Sequence, residues 1–381
     1  MKVYLDHNAT TPIHPKVKEA MIQALDIYGN PSSSYTLGRQ SHYLIEESRS
    51  KTAQFLDVES KQVIFTASGS EANNMVLKGL FTNPYEVNRK DHLIISSIEH
   101  PSVMTCAKSL RDRGIDLTLL SVDSYGRVDL EKLKTAIQPN TRLISIMLAN
   151  NEIGTIQPIK EAVQIAHKQN IPFHTDAIQA IGKIPVDIKD LGVDYLTVSG
   201  HKLYGPKGVG VLYAKRPKKL LPLIEGGPHE LGLRAGTENT LAIIGLGVAI
   251  DCLQQEMDEN NQRVSRLRRR LEEGILKTIP NTSLNGHPDQ RLPGTVNISF
   301  NDVEGKAILL KLDMKGISVS TGSACSSHLS DPSYVIQALG YSYERAYSSV
   351  RFSLGWGNTD DQIDYVLNVL AKIIEDLRKL K

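Results

Sequence analysis

The chain has 381 residues, of which 40% are hydrophobic, and its 44 Lys and Arg nearly balance its 42 Asp and Glu. This composition is typical of a globular protein with a buried core and room for about two domains, so it excludes a wholly disordered chain. The net charge is only +2, and no long basic tract is interleaved with aromatic residues. Both features argue against direct binding of nucleic acid.

The longest apolar stretch, residues 241–250, is far shorter than the roughly 20 residues that a membrane helix needs. Gly245 and Gly247 also interrupt it. We therefore expect that the chain does not cross a membrane. Residues 1–7 become polar before an apolar signal segment could form, so we expect no export.

The three cysteines, Cys106, Cys252 and Cys325, are odd in number and widely spaced. They fit neither a disulfide framework nor a Cys-x-x-Cys metal site, and the sequence predicts no metal centre. The reducing cytoplasm is the compartment that suits such a chain.

Between residues 60 and 215, short β-branched runs alternate with amphipathic segments. The runs predict strands at 63–66, 93–95, 117–120, 143–148, 171–174 and 195–198, and the segments between them predict helices at 102–113, 130–137 and 159–168. This alternation is typical of an α/β fold with a mostly parallel central sheet and helices on both faces.

The pattern changes after residue 255. It predicts a charged helix at 257–277, strands at 296–300 and 317–319, a helix at 305–312 and a final helix. The apolar face of the final helix consists of Ile363, Val366, Leu367, Leu370, Ile373, Ile374 and Leu377. We predict a large domain of residues 14–255 and a smaller α+β domain made of residues 1–13 and 256–381.

Arginines are concentrated in the charged helix, and two glutamates follow them. The arginines are Arg263, Arg266, Arg268, Arg269 and Arg270. We interpret this cluster as a solvated helix face, with docking of an acidic protein as the alternative.

A lysine follows the last strand of the large domain. Lys202 lies just beyond the predicted strand 195–198, in a turn rich in glycine. Ligands of open α/β sheets bind outside the carboxyl ends of the strands, so Lys202 is well placed to meet one. Lysine amines form Schiff bases with carbonyl compounds, including pyridoxal phosphate.

Other polar residues follow strands in the same way. Asp176 follows the strand at 171–174, Gln179 comes three residues later, and Asn150, Asn151 and Glu152 follow the strand at 143–148. A carboxylate beside the ring nitrogen of pyridoxal phosphate keeps that nitrogen protonated, and Asp176 has this location.

Two further strand ends could bind a flat, phosphorylated ligand. Residues 66–74 indicate a strand, a Gly/Ser turn and a helix start, and the N–H groups of a helix N-terminus bind phosphate. His100 follows the strand at 93–95, where an imidazole could stack on a flat cofactor, move protons or cap a helix.

These motifs occur in the order found in a known family. They are Asp-His-Asn-Ala-Thr-Thr-Pro at 6–12, Ser-Gly-Ser-Glu-Ala-Asn-Asn at 68–74, Glu-His at 99–100, Asn-Asn-Glu-Ile-Gly at 150–154, Asp-Ala-Ile-Gln at 176–179, Ser-Gly-His-Lys at 199–202, Arg-Ala-Gly-Thr at 234–237, Ser-Ala-Cys at 323–325 and Arg-Phe-Ser-Leu-Gly at 351–355. The ordered set resembles the cysteine desulfurases of the NifS/IscS-like group, nearly from end to end.

The resemblance implies a fold-type-I, pyridoxal-phosphate-dependent homodimer that converts L-cysteine to L-alanine and holds the sulfur as a persulfide on a cysteine. In this sequence Lys202 matches the Schiff-base lysine, Asp176 the partner of the pyridine nitrogen, and Gln179 the contact to the ring hydroxyl. The resemblance also implies that His100 stacks on the ring. The implied phosphate contacts are Gly69, Ser70, Ser199 and His201, with Thr237 from the other subunit. The implied substrate contacts are Asn151 and Arg351.

Cys325 matches the persulfide-bearing cysteine of the family. Residues 320–328 are small and lack an apolar pattern, which is typical of a mobile loop. Asp331, Pro332 and Ser333 then provide a helix cap and a proline at the first helical position. This loop resembles the longer cysteine loop of the NifS/IscS group rather than the short, rigid loop of the other branch of the family. The resemblance favours a protein that donates sulfur to several acceptors. Cys106 and Cys252 fall in predicted helices and are interpreted as structural.

The expected reaction begins when the freed Lys202 amine removes the Cα proton of L-cysteine. The Cys325 thiolate then attacks the substrate sulfur, so activity should fall at low pH. The alternatives are another pyridoxal-dependent lyase or transaminase, including a selenocysteine lyase, and a non-catalytic scaffold that keeps the fold. The sulfur acceptor, an iron–sulfur scaffold or a thiolation protein, cannot be identified from the sequence.

Overall fold

The computed structural model describes residues 1–81, 90–322 and 332–380. The strands in these ranges are β1 (Val3–Tyr4), β2 (Val63–Thr66), β3 (His92–Ser96), β4 (Asp116–Leu120), β5 (Thr141–Ser145), β6 (Phe173–Asp176), β7 (Tyr195–Ser199), β8 (Gly210–Ala214), β9 (Thr282–Asn285), β10 (Thr295–Phe300), β11 (Ile317–Ser318) and β12 (Ser349–Ser353). The α-helices are α1 (Pro15–Gln23), α2 (Thr36–Phe55), α3 (Gly69–Phe81), α4 (Pro101–Arg111), α5 (Leu130–Ala136), α6 (Ile159–His167), α7 (Ile188–Leu191), α8 (Thr240–Thr278), α9 (Gly305–Asp313), α10 (Tyr334–Ala338), α11 (Tyr343–Tyr347) and α12 (Asp360–Lys379).

A seven-stranded sheet forms the centre of the protein, in the order β2-β8-β7-β6-β5-β3-β4. From β7 to β4 all neighbouring strands are parallel, whereas β8 is antiparallel to both β7 and β2. Strands such as β3 and β7 are buried at every position because helices cover both faces, and this is why they are nearly continuous apolar runs. The predicted mostly parallel sheet is therefore confirmed, while β8 was not predicted.

A second apolar core lies around the three-stranded antiparallel sheet β12-β10-β9. Its largest side chains include Phe300 and Phe352, and the C-terminal half of α8, α9 and α12 pack around it. The apolar stripe predicted for α12 is buried in this core at Ile363, Val366, Leu370, Ile373 and Ile374. The N-terminal strand β1 joins the same core by pairing in parallel with β11.

Several predicted boundaries were wrong. β5 ends at Ser145 rather than at residue 148, although the N–H groups of Ile146 and Leu148 still donate to carbonyls of β6. α8 is one continuous helix of 39 residues that begins at Thr240, whereas we predicted a helix that begins at residue 257. Ser333 caps α10 by accepting from the N–H of Ile336, and Pro332 precedes this cap instead of occupying the first helical position. The division into two domains stays a prediction.

Among the described helices, α8 alone is long and apolar enough by composition to be considered as a membrane span. More than half of its most apolar window is buried inside the protein. Ala242, Ile243, Leu246 and Ile250 pack into the core beneath the central sheet. The apolar character of α8 is therefore accounted for by core packing.

The arginine cluster on α8 is partly solvated and partly engaged in ion pairs. Arg266 and Arg270 form ion pairs with Asp360 on α12, and Arg270 also pairs with Asp364. Arg268 is buried and pairs with Glu272 one turn later. Arg266 and Arg270 thus connect α8 to α12 while they remain exposed, so the interpretation as a solvated face holds for Arg266, Arg269 and Arg270 but not for the buried Arg268.

A buried ion pair ties α2 to the loop that leads to Thr237. The Arg49 guanidinium donates from both terminal nitrogens to the two carboxylate oxygens of Glu230, at 2.8 Å each. Glu230 also accepts from the N–H of Phe65, at 2.8 Å, so its carboxylate is fully engaged.

Arg49→Met is expected to destabilise the protein by about 3–5 kcal/mol, because it leaves the Glu230 carboxylate buried without its partner. Urea unfolding of the variant and the wild type measures the difference. The double variant Arg49→Met/Glu230→Gln should be more stable than the single one, since it removes the isolated charge. A loss below about 1 kcal/mol in the single variant would mean that the pair contributes as little as a surface ion pair.

Candidate active site

Polar side chains meet at the carboxyl ends of the central strands. Asp176 is the last residue of β6, and Lys202 ends the 3-10 turn Gly200–Lys202 that directly follows β7. His100 follows β3 and is the N-cap residue of α4. Because these three strands are parallel members of one sheet, their ends face the same crevice.

The Asp176 carboxylate is buried and held by two donors. The side-chain amide of Asn73, on α3, donates to Oδ2 at 2.7 Å, and the N–H of Ile178 donates to Oδ1 at 3.0 Å. Charge-assisted bonds of this kind fix the position of a carboxylate. Asp176 therefore presents a buried, oriented negative charge to the crevice.

His100 is held in one tautomer. The N–H of Ser102 donates to its Nδ1 at 3.1 Å, and the Ser102 hydroxyl lies 2.8 Å from the same nitrogen. Since a backbone N–H can only donate, Nδ1 accepts, and the ring proton of the neutral imidazole is on Nε2. Burial lowers the pKa of His100 and the Lys202 charge lowers it further, whereas Asp176 raises it. His100 is thus a neutral, oriented ring in the crevice.

The start of α3 lies against the end of β7. The Ser68 hydroxyl accepts from the N–H of Glu71 and caps the helix. A Cβ at Gly69 would lie 2.3 Å from Cδ1 of Ile178 and 3.3 Å from Cβ of Ser199, so a larger residue would require the Ile178 side chain to move. The structure thus brings together Gly69 and Ser199, two of the residues predicted to bind phosphate.

The other three predicted phosphate contacts lie in different surroundings. His201 is partly buried, and its Nδ1 lies 3.1 Å from the Thr10 hydroxyl. Burial lowers its pKa to about 4, and the Lys202 and Lys207 charges act in the same direction. His201 is therefore neutral at neutral pH. Ser70 and Thr237 are exposed.

Lys202 rests on the N-terminal segment of the chain. Its Nζ donates to the backbone carbonyls of Asn8 and Ala9, at 2.6 Å each. The Asn8 carbonyl also accepts from Nε2 of Gln179, at 2.9 Å. The carbonyls of residues 8 and 9 therefore orient the Lys202 amine, and the Asn8 carbonyl links it to Gln179 through a shared hydrogen-bond acceptor.

Arg351, within β12, contacts the same N-terminal segment. Its guanidinium donates to Oδ1 of Asp6 at 2.6 Å and to the carbonyl of Asn151 at 2.9 Å. The Asn8 side chain donates to that carbonyl as well, at 3.1 Å. Arg351 is buried, and within the described residues its Nε has no hydrogen-bond partner. The fork therefore keeps an unused donor for an anionic ligand.

Two buried carboxyl groups near the site have altered pKa values. Burial raises the pKa of Glu99 to about 8, although Ser96 and the N–H of Met147 donate to it. Burial also raises the pKa of Glu152 to about 7, against the effects of Ser333 and Arg351. Both groups therefore hold a proton over a wider pH range than an exposed glutamate.

The sequence analysis missed several residues of this network, namely Asn73, Ser102, Lys183 and the structural role of Asn8. Asn73 and Asn8 fall in motifs that we quoted for the resemblance, but their contacts are long-range and no local pattern indicates them. Cys325 lies outside the described residues. Within the described part of the chain, no group of three or more His, Cys, Asp or Glu side chains could hold a metal ion.

Comparison with known proteins agrees with this geometry. The sequence model of the family "Aminotransferase class-V" matches residues 3–366. "Cysteine desulfurase IscS" of Methanosarcina thermophila is 47% identical over 380 residues, which cover 99% of this chain and 93% of that protein. A solved "NifS-like protein" superposes with a TM-score of 0.92 at 35% identity, covering 99% of this chain and 100% of that one. The structure titled "SspA in complex with cysteine" has a TM-score of 0.83 at 35% identity and covers 94% and 100%.

The fold and the crevice define a fold-type-I enzyme that depends on pyridoxal phosphate. The chain belongs to the aminotransferase class-V family. Within that family its relatives include proteins named cysteine desulfurase, which confirms the resemblance predicted from the sequence.

The residues at the crevice fit this coenzyme. A pyridinium nitrogen requires a nearby carboxylate, an aldehyde requires a lysine amine, and a phosphate suits a helix N-terminus. Asp176, Lys202 and the start of α3 at Gly69 supply these three features. Direct contacts link them, since Asn73 on α3 bonds Asp176, and Gly69 packs on Ser199 three residues before Lys202.

Proposed function

We propose that the protein is a cysteine desulfurase that converts L-cysteine to L-alanine and takes up the sulfur on Cys325 as a persulfide. The observation that carries the proposal is that Lys202 and Arg351 both form hydrogen bonds to residues 6–9. An amine for carbonyl chemistry and a guanidinium for a carboxylate thus contact one short segment, as an amino acid substrate requires. Relatives of nearly equal length named cysteine desulfurase support the sulfur chemistry.

Each part of the coenzyme has a proposed partner in the crevice. Asp176 binds the pyridine nitrogen, Gln179 the ring hydroxyl, and the neutral His100 stacks on the ring. The phosphate is held by Gly69, Ser70, Ser199 and His201, with Thr237 contributed by the partner subunit of a homodimer. When bound, the coenzyme supplies an electron sink for negative charge at the substrate Cα.

The substrate carboxylate is proposed to bind Arg351, with Asn151 beside it. Arg351 is already oriented by Asp6 and by the carbonyl of Asn151, so little side-chain entropy is lost on binding. Arginine presents two parallel N–H donors to a carboxylate, which fixes the substrate as well as attracting it. Fixing the substrate carboxylate also fixes the direction in which the Cα–H bond of the substrate points.

The chemical steps then follow from two side chains. The Lys202 amine takes the proton from Cα and later returns one to the product carbon. The Cys325 thiolate attacks the substrate sulfur, so an S–S bond forms as the C–S bond breaks. Alanine leaves, and Cys325 carries the sulfur to an acceptor protein, an iron–sulfur scaffold or a thiolation protein. We place this reaction in the cytoplasm.

Incubation of the purified, coenzyme-loaded protein with L-cysteine tests the proposal. Alanine should form with and without a reductant, sulfide should appear when the reductant is present, and mass spectrometry should find an added sulfur on the peptide that contains Cys325. Alanine formation without any persulfide on Cys325 would overturn the proposed sulfur route. The absence of alanine would overturn the function itself.

Arg351→Leu is expected to lower kcat/KM for L-cysteine by about 10²–10³-fold, because the substrate carboxylate and Asp6 both lose a buried partner. Most of the loss should appear in KM, and the coenzyme should stay bound. Rates of alanine formation measure the change. Arg351→Lys keeps the positive charge but loses the two-pronged guanidinium, so its kcat/KM should lie between the values of the wild type and of Arg351→Leu. The exposed Arg111→Leu is the matched control, and an equal loss there would contradict the assignment.

A further inference from the structure

Lys183 is a second lysine near Lys202 that the proposed reaction does not use. It lies four residues after Gln179, in the turn that follows β6. In this turn the N–H of Ile181 bonds to the carbonyl of Ala177, as in one turn of a helix. Residues four apart in such a turn lie on one face, so Lys183 and Gln179 are neighbours.

The amine of Lys183 determines the orientation of the Gln179 amide. Lys183 Nζ donates to Oε1 of Gln179 at 2.7 Å and to Oδ1 of Asn8 at 3.0 Å. Because the charged amine can only donate, the Gln179 atom that faces it is the oxygen. The NH₂ group of Gln179 must then point the other way, where it shares the Asn8 carbonyl with Lys202.

The charged form of the Lys183 amine is destabilised by its surroundings, so this lysine lowers the stability of the folded protein. The residue as a whole is only partly buried, but its amine points inward and, within the described residues, no carboxylate lies within ion-pair distance of it. Burial, together with the charges of Lys202 and Arg351, lowers its pKa to about 7. A cation without a counter-ion beside two other cations is destabilising, and such arrangements are concentrated at functional sites.

We propose that Lys183 is a positioning residue of the active site, which locks the Gln179 amide with its NH₂ group toward Lys202 and braces Asn8 beneath the Lys202 amine. The inference rests on the proposed function, in which Gln179 binds the coenzyme ring. Lys183 itself touches neither the substrate nor the reacting atoms. Its effect is to fix one of the two possible amide orientations before the coenzyme binds.

Titration of the apoprotein with pyridoxal 5′-phosphate tests this role without relying on turnover. K183M should raise the Kd of the coenzyme about tenfold and change the visible spectrum of the bound form, since Gln179 is then free to turn. K183R, which keeps the donors, should restore much of the wild-type spectrum. K160M, at an exposed lysine paired with Asp190, is the matched control and should behave as the wild type.

The decisive comparison uses a Gln179 variant as the background. If Lys183 acts through Gln179, K183M should add little to the effect of Q179L, whereas a merely structural lysine would weaken binding equally in both backgrounds. Equal effects, or a K183M protein with wild-type Kd and spectrum, would overturn the proposal. If K183M does not fold, K183Q takes its place in the same comparison. If the wild type binds the coenzyme but forms no alanine, the proposed function is overturned. The comparison of coenzyme binding by the variants still tests the role of Lys183 in that case.

Discussion

Lys202→Ala is expected to lower alanine formation from L-cysteine by about 10²–10⁴-fold and to abolish covalent attachment of the coenzyme. One amine performs two tasks in the proposed reaction: it tethers the coenzyme and it moves the Cα proton. The carbonyls of Asn8 and Ala9 aim this amine at one position. Lys183 lies nearby, but its amine is bonded to Gln179 and to the Asn8 side chain, so we do not expect it to replace Lys202.

Borohydride reduction followed by peptide mass spectrometry measures the first part of this prediction. The wild type should carry the reduced coenzyme on the peptide that contains Lys202, and the variant should carry none. The variant should still bind the coenzyme reversibly, because Asp176 and the start of α3 are unchanged. Lys207→Ala, at an exposed lysine five residues later, is the matched control. Fixation of the coenzyme on Lys183 in the wild type would contradict the assignment of Lys202.

The position of the site could be predicted from the sequence because it depends on strand ends. Buried parallel strands are short apolar runs, and the polar residues that follow them, such as Asp176 and Lys202, must meet at one edge of the sheet. This reasoning requires only the direction of the strands. The start of α3 was predicted for a similar reason, since a Gly/Ser turn before a helix is a local signal.

Other features could not be predicted because they depend on contacts between distant segments. β8 is a short apolar run like the parallel strands, and nothing local shows that it pairs antiparallel to β2 and β7. The role of Asn8 results from packing of the N-terminus against residues far along the chain. The ion pairs that join α8 to α12 also link residues 94 positions apart, which is why the sequence did not indicate them.

The orientation of individual side chains could not be predicted from the sequence, because it depends on hydrogen bonds between side chains that only the structure shows. The sequence suggested that His100 could stack on a cofactor, move protons or cap a helix, and the structure shows that it caps α4. The two donors from Ser102 then determine its tautomer. Capping and stacking use different parts of the imidazole, so the two roles are compatible.

Cys325→Ala is expected to reduce sulfide release from L-cysteine by about 10³-fold or more while the coenzyme stays bound. The variant should still show the substrate-induced spectral change, because binding and removal of the Cα proton use Arg351 and Lys202. The reaction stops at the C–S bond, since no thiolate is present to accept the sulfur. Spectroscopy and a sulfide assay on the same sample separate these two stages.

The two other cysteines serve as controls and test whether they could replace Cys325. Cys106 and Cys252 are buried, and burial raises the pKa of both thiols, so they remain protonated and poorly nucleophilic at neutral pH. Cys106→Ala and Cys252→Ala should therefore keep nearly full activity. Full sulfide release by Cys325→Ala would instead favour a lyase that expels sulfur without a protein thiol, because the substrate C–S bond would then break with no S–S bond formed on the enzyme.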